Sequence, residues 1–275
     1  MRYGVYLPPF GPFGDPVALV ELARRAEAAG WDGVFLWDHL VADVMPIVDL
    51  WTTLGAIAQA TDRILLGTMV TPLARRRPWV VARHGSTLSR LSGGRFVLGV
   101  GLGSDESGDF SRFGEPTGRR EMASRLDEGL EIVRAMWTGR AGQHGGEHYR
   151  VELDATAPEP HRIPIWVGCS TLDKPAVVRR AAGADGVFPN PADHRITPGE
   201  LAGVVAAVRR TGLVGGRPFE VAAAGNASPA WDEPPSVDLP GLVGAGLTWW
   251  MESLIHFDPL DLSLRIVDAG PPRVD

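Results

Sequence analysis

A single α/β barrel of eight strand-then-helix units is the fold the sequence predicts, on three observations. Eight short apolar runs alternate with helical segments along 275 residues, close to the roughly 250 residues that one (β/α)8, or TIM, barrel needs. The runs are continuously apolar rather than alternating, as parallel strands covered on both faces must be. Polar and glycine-rich motifs then sit just past the strands: Asp38-His39 after 33–37, Gly101-Leu102-Gly103-Ser104 after 95–100, and Gly168-Cys169-Ser170-Thr171 after 163–167. The carboxyl ends of barrel strands share one face, so these three junctions should meet in one pocket, and the chain should be an enzyme.

The elements follow in order. Strand one, 2–7, gives way to a Pro/Gly-rich run, 8–14. Asp15 is placed to cap a helix that Pro16 opens; Val17, Val20, Ala23 and Ala26 keep helical spacing until Gly30 ends it. A second helix is predicted over 49–60. Strand three, 64–70, precedes Thr71-Pro72 and the arginines 75–77, and Pro78 opens a helix ending near Leu91, before Ser92-Gly93-Gly94. After strand four comes a polar loop, 104–118, long enough to be functional or mobile. Met122, Leu126, Leu130, Val133 and Trp137 then mark one helical stripe. Around 142–160 the alternation breaks: Gly145-Gly146 beside Tyr149, Val151 and Leu153 predicts a small hairpin excursion. Strands six to eight are read at 185–188, 219–224 and 247–250, with a proline-rich stretch, 228–240, that leaves helix seven stunted. No domain boundary is visible, so residues 1–275 are read as one domain.

Composition removes several functional classes. A net charge of −6 with a pI near 5.7 argues against a nucleic-acid binder, which needs a basic face. No apolar run approaches the roughly 18 residues of a membrane span, and residues 1–8 read as a strand rather than a signal peptide; the expected address is the cytoplasm. One cysteine, Cys169, excludes an internal disulfide and a Cys-rich zinc site. Lys174 is the only lysine, and its place before Pro175 and a helix makes it a poor Schiff-base group, which would need burial. His144, Glu147, His148 and His161 imitate a metal cluster but lack a helix to align them, so no metal is expected. No G-x-S-x-G elbow exists.

The remaining motifs each carry two readings. Gly99-x-Gly101-x-Gly103 fails the fuller G-x-G-x-x-G test at Glu106; it is either a small-residue opening for a planar ligand or tight packing at the rim. Residues 168–171 are either an anion site before a helix or plain N-capping by Ser170 or Thr171. The triplet Arg75–Arg77 is either a solvated loop or a landing strip for a polyanionic tail, and it or Arg273 is next in line should the anion site not lie at 168–171. His39 is either an acid/base group or a structural histidine, with Asp38 accepting a hydrogen bond or holding the loop. His256, after strand eight, is a second candidate on the same face.

The ordered set Trp37-Asp38-His39-Leu40, Leu66-Gly67-Thr68-Met69-Val70-Thr71-Pro72, residues 91–103, Ala182-Gly183-Ala184-Asp185-Gly186-Val187-Phe188-Pro189 and Gly246-Leu247-Thr248-Trp249-Trp250-Met251-Glu252 resembles the luciferase-like monooxygenase superfamily, above all its coenzyme F420-dependent members. The resemblance implies a bacterial-luciferase-like barrel whose flavin or deazaflavin ring lies against a bulge in strand three, at Thr68, Met69 and Val70, where a non-proline cis peptide would fall at Met69–Val70. It implies a cofactor phosphate at Gly168, Cys169, Ser170 and Thr171, with Gly101 and Gly103 beside the ring and Asp38 and His39 contacting it, His39 and Asp38 being the catalytic pair. Phe10, Ser104 and Asn190 are expected around the substrate, together with Trp250, Glu252 and His256. F420 is the implied cofactor and FMN the alternative; hydride transfer to or from a small organic substrate is the implied reaction. An FMN monooxygenase and a catalytically silent flavin-binding homologue are the alternatives. Such relatives are commonly homodimers, and Trp51 and Trp79 are the residues expected to help an interface. Two departures stand out: Ser104 replaces a glutamate found in sugar-phosphate dehydrogenases of this kind, and no positive cluster for a sugar phosphate is evident.

Overall fold

The protein, described by a computed structural model over residues 1–171, 174–216, 218–231 and 235–272, closes eight parallel strands into a barrel. They are β1 (Arg2–Leu7), β2 (Gly33–Leu36), β3 (Leu65–Pro72), β4 (Phe96–Gly101), β7 (Ile165–Cys169), β8 (Gly186–Pro189), β9 (Glu220–Gly225) and β10 (Trp249–Ser253), and β1 pairs with both β2 and β10. Eight helices alternate with them: α1 (Pro16–Ala28), α2 (Leu50–Ala60), α3 (Pro78–Leu91), α4 (Arg119–Thr138), α5 (Pro175–Ala182), α6 (Pro198–Arg210), α7 (Leu239–Gly244) and α8 (Leu260–Asp268). Between α4 and β7 the predicted excursion is an antiparallel hairpin, β5 (Gly142–Gly145) with β6 (Arg150–Leu153).

Local chemistry sets the boundaries. Asp15 accepts the Val17 N–H at 2.8 Å and Pro16 takes the first turn of α1, satisfying one of the free donors every helix start exposes. Asp49 does the same for α2 through the Thr52 N–H. Thr197 and Glu200 close a reciprocal capping box on α6. The hairpin is tied to α4 by one carboxylate: Glu128 accepts the N–H groups of Glu147, His148 and Tyr149. Among the described residues no group of three or more His, Cys, Asp or Glu side chains is placed to hold a metal, and no helix is long and apolar enough to cross a membrane.

The barrel interior is aromatic. Phe35, Trp166 and Trp249 stack and wedge at centroid distances of 5.4–5.6 Å, and Tyr6, Met69 and Phe188 continue this cluster. Alternate strand residues instead face the helices; Trp250 packs there with Leu201, Val205 and Leu242. Two expectations are corrected at this level. Trp51 is 5% exposed and packs on His84 and Phe96, so it cannot serve an interface. Nor are all of the arginines 75–77 solvated: the Arg75 side chain is 1% exposed, because it answers a buried carboxylate described below.

Candidate active site

The carboxyl ends of the strands enclose a cleft of about 170 Å³ lined by Tyr6, Met69, Val70, Gly101, Gly103, Gly168 and the residues through Thr171, with Phe188, Asn190 and two arginines, Arg119 and Arg180. One wall is a bulge in β3, where the register against β4 shifts between Thr68 and Thr71 and the Met69–Val70 peptide is cis. Thr68 is fully buried and its hydroxyl donates to the Gly99 carbonyl at 2.6 Å, so it fastens the bulge rather than meeting a ligand. The bulge pushes Val70 between two strand ends: a Cβ on Gly101 would lie 2.7 Å from Val70 Cγ2, and one on Gly168 would lie 2.6 Å from Val70 Cγ1. Tight packing, not ligand clearance, is thus what these two glycines answer to. A substitution at Gly168 would disturb the bulge as well as any bound phosphate.

The loop 168–171 leaves β7 open to the cleft. Lys174 is the N-cap of α5 and, among the described residues, no side chain caps that helix, so Ser170 and Thr171 do not play the plain N-capping role. Neither hydroxyl has a hydrogen-bond partner among the described residues. Arg119, exposed at the start of α4, faces the same cleft. Arg180 does too, but its guanidinium is held by both oxygens of Asp127 at 2.6 and 2.8 Å. Burial pushes the Cys169 thiol up to about 12, so it stays protonated and is no nucleophile at neutral pH. Arg273, a reserve anion ligand in the sequence, lies outside the described residues.

The opposite side of the mouth is built from charge. Asp38 is 3% exposed and fully claimed: Arg76 binds both its oxygens, Nε to Oδ2 at 2.6 Å, and Arg75 Nη2 reaches Oδ1 at 3.1 Å and also the Asp38 carbonyl. Such a carboxylate, paired with two guanidinium groups, is suited to hold the loop. His39 is held by a residue the sequence reading missed: its Nδ1 lies 2.6 Å from Oδ2 of Asp109. The other Asp109 oxygen accepts the Leu40 and Val41 N–H groups and sits 3.3 Å from Arg75 Nη1. Burial alone would raise the Asp109 carboxyl, but the hydrogen bonds from His39 and Leu40 outweigh it and hold it below the ordinary range. Ionised, it is acceptor-only, so His39 Nδ1 must carry the proton. Nε2, on a side chain 26% exposed, has no partner among the described residues and is the atom free for chemistry.

Around His39 stands an aromatic wall: Phe10 packs on His39 at 5.5 Å and on His256 at 4.9 Å, and Trp37 joins His39 to Tyr6. His39, His256 and Phe10 therefore adjoin the cleft through this wall instead of lining it. Burial, reinforced by the charge of His39, keeps the His256 ring below the usual histidine range. Asn190 lines the cleft, whereas Ser104 is an exposed turn residue whose hydroxyl accepts the Glu106 N–H. Trp250 and Glu252 do not reach the pocket. Both are 0% exposed on the helix-facing side of β10, where Glu252 accepts the indole N–H of Trp231 and Trp250 and the backbone N–H of Ala227 and Ser228.

A parallel barrel with a cis bulge in its third strand and a polar loop after the fifth barrel strand defines a narrow class. The chain belongs to the luciferase-like monooxygenase family, which it matches over residues 1–234. It is 36% identical over 179 residues to an F420-dependent glucose-6-phosphate dehydrogenase of Nakamurella multipartita, covering 62% of this chain and 51% of that protein; the chain spans about half the length of that curated relative. Two solved structures share the fold end to end. An F420-dependent secondary alcohol dehydrogenase with an F420-acetone adduct gives a TM-score of 0.78 at 16% identity, covering 98% of both chains. The monooxygenase RslO1 of Streptomyces bottropensis gives 0.77 at 20%, covering 97% of this chain and 96% of its own.

Proposed function

We propose that this chain is an oxidoreductase that uses coenzyme F420 to exchange hydride with a small organic substrate. The observation that carries the reading is the juxtaposition, on one barrel face, of a polar loop with a cation and two hydroxyls that have no partner among the described residues, and a histidine whose Nδ1 is fixed and whose Nε2 has none among them either. F420-dependent enzymes among its sequence relatives support the choice of cofactor. The residues fit such a group: Ser170, Thr171 and Arg119 would hold a phosphate, and Met69 and Val70 would back the ring. The cleft is smaller than the roughly 300–1,000 Å³ of a whole-ligand pocket, so a long cofactor would fill it in part and run out across the rim. The cofactor supplies the hydride chemistry; FMN in the same place would supply oxygen activation and make the chain a monooxygenase. His39 Nε2 would give or take the proton that balances the transferred hydride, as general acid or base. A homodimer in the cytoplasm is part of the proposal, with light scattering as its check.

Thermal unfolding with F420 and FMN side by side tests the reading. A ligand at about 100 times its dissociation constant stabilises by roughly 2.7 kcal/mol, or about 5–11 °C at 2–4 °C per kcal/mol. F420 should produce that shift and FMN a smaller one. The reverse order would make the chain an FMN enzyme, and no shift with either would remove the cofactor reading.

A further inference from the structure

Tyr6, near the end of β1, lines the cleft yet is only 8% exposed. Its ring is fixed against Trp37 at 5.3 Å and edge-on to Phe188 at 5.5 Å, so the hydroxyl cannot swing out to solvent without repacking both. That hydroxyl has no hydrogen-bond partner among the described residues. Buried polar groups are normally paired, and one that lines a cavity unpaired marks a place for a ligand atom. Trp166 and Trp249 also carry unpartnered indole N–H groups, but they lie deeper in the barrel and do not line the cleft. Tyr6 differs in being both unpaired and accessible from the cleft.

The chemistry of what it would hold follows from its neighbours. Burial raises the Tyr6 hydroxyl well above the ordinary tyrosine range, with the charge of Arg195 a smaller opposing influence, so at physiological pH it is an O–H donor. A donor calls for an acceptor oxygen on the ligand. The cleft lining beside it is apolar, Met69, Val70 and Phe188, and among the described residues contains no carboxylate, so an ammonium group would find no counter-charge there. The nearby carboxylates of Asp38 and Asp109 are consumed by Arg75, Arg76 and His39. Arg195 is exposed and Arg119 is an exposed residue of α4, so an anionic group would be met at the rim and not beside Tyr6.

We propose that the Tyr6 hydroxyl donates the hydrogen bond that holds the substrate's oxygen, and that the substrate is a small, uncharged carbonyl compound with an apolar body. This rests on the oxidoreductase reading for its meaning, but its test does not need the cofactor. Acetophenone serves as the probe, with 4-acetylbenzoate as its anionic counterpart and benzylamine as a cation without an acceptor. Saturation-transfer NMR on the protein alone, and again with F420 added, should show acetophenone bound and benzylamine not. In Tyr6→Phe, which removes one oxygen and keeps the ring, acetophenone affinity should fall about 2- to 13-fold, the usual worth of one hydrogen bond, with F420 affinity changing less and the melting temperature unmoved. The chain has three tyrosines, so ring-13C-labelled wild-type protein gives a reading even if the variant folds poorly. One tyrosine signal should move on adding acetophenone while those of Tyr3 and Tyr149 stay. Unchanged ketone affinity in Tyr6→Phe, no moving tyrosine signal, or tighter binding of 4-acetylbenzoate would each overturn the proposal. In the wild-type protein, no acetophenone binding alongside intact stabilisation by F420 would overturn this inference alone; acetophenone binding without stabilisation by F420 would overturn the cofactor reading alone.

Discussion

The two sides of the barrel mouth solve the problem of polar groups in opposite ways. Beyond β2, the carboxylates Asp38 and Asp109 are buried and met by Arg75, Arg76, His39 and backbone N–H groups, so these acids are answered within the chain, while Arg75 keeps Nε and Nη1 without a hydrogen bond among the described residues. Beyond β7, the Ser170 and Thr171 hydroxyls and exposed Arg119 have no such answer among the described residues, and α5 starts without a side-chain cap. The difference teaches that rigidity and binding are divided between the two sides. Buried ions punish any loss of a partner, which fixes His39; unpaired donors at a rim cost little and would suit the anion proposed there.

The largest expected effect comes from breaking the self-satisfied side. Arg75→Met leaves Asp38 and Asp109 short of a cation in a buried place, which typically costs about 3–5 kcal/mol, or about 6–20 °C of melting temperature. Differential scanning calorimetry reads it, and a drop under about 2 °C would mean the network is not what holds the loop. Next comes His39→Asn: turnover should fall about 10²–10⁴-fold, the range for a lost acid or base, while F420 affinity from fluorescence titration changes far less. A comparable loss of affinity would make His39 a binding group instead.

Asp109 sharpens the comparison through pH. Its folded carboxyl is held below the ordinary range, so its contribution to stability is present above the unfolded value of about 3.9 and is lost as pH falls through the folded value. Asp109→Asn should flatten the acid limb of the stability curve below about pH 4 and slow turnover at neutral pH, because the amide no longer demands a proton on His39 Nδ1. An acid limb identical to wild type would place the titration elsewhere. The smallest effect belongs to the open side: Ser170→Ala should weaken cofactor binding by about 0.5–1.5 kcal/mol without moving the melting temperature of the free protein. A lowered melting temperature would show that Ser170 supports the fold.

Much of this was legible in the chain. The apolar runs, Asp15-Pro16, the glycine pair near the hairpin and the stunted helix seven are local signals, each matched by an observed element, though residues 232–234 of the proline-rich stretch lie outside the described residues. Of the three strand-end junctions expected in one pocket, those after β4 and β7 line one cleft with Met69 and Asn190, whereas Asp38 and His39 stand beside it behind the aromatic wall. What misled the reading was strand parity. Trp250 and Glu252 follow Trp249 in a strand so uniformly apolar that no alternation shows which residue points inward, and both point to the helices. Asp109 was hidden for another reason: it sits in the polar loop after β4, 70 positions from the histidine it orients, and no period connects them.

The sequence by itself determined the barrel, the order of its elements and the face on which chemistry can occur, because those follow from short-range periodicity and from the way parallel strands close. Only the tertiary structure decided which polar residues are spent and which are free. Arg75 and Arg76 look solvated in a triplet of charges and are instead locked onto Asp38; Gly101 and Gly168 look like room for a ligand and are filled by Val70. Tyr6 looks like one more apolar strand residue, yet its hydroxyl has no hydrogen-bond partner among the described residues. Each outcome depends on atoms distant in the chain competing for the same partner or the same space, and burial sharpens that competition because water no longer supplies a substitute.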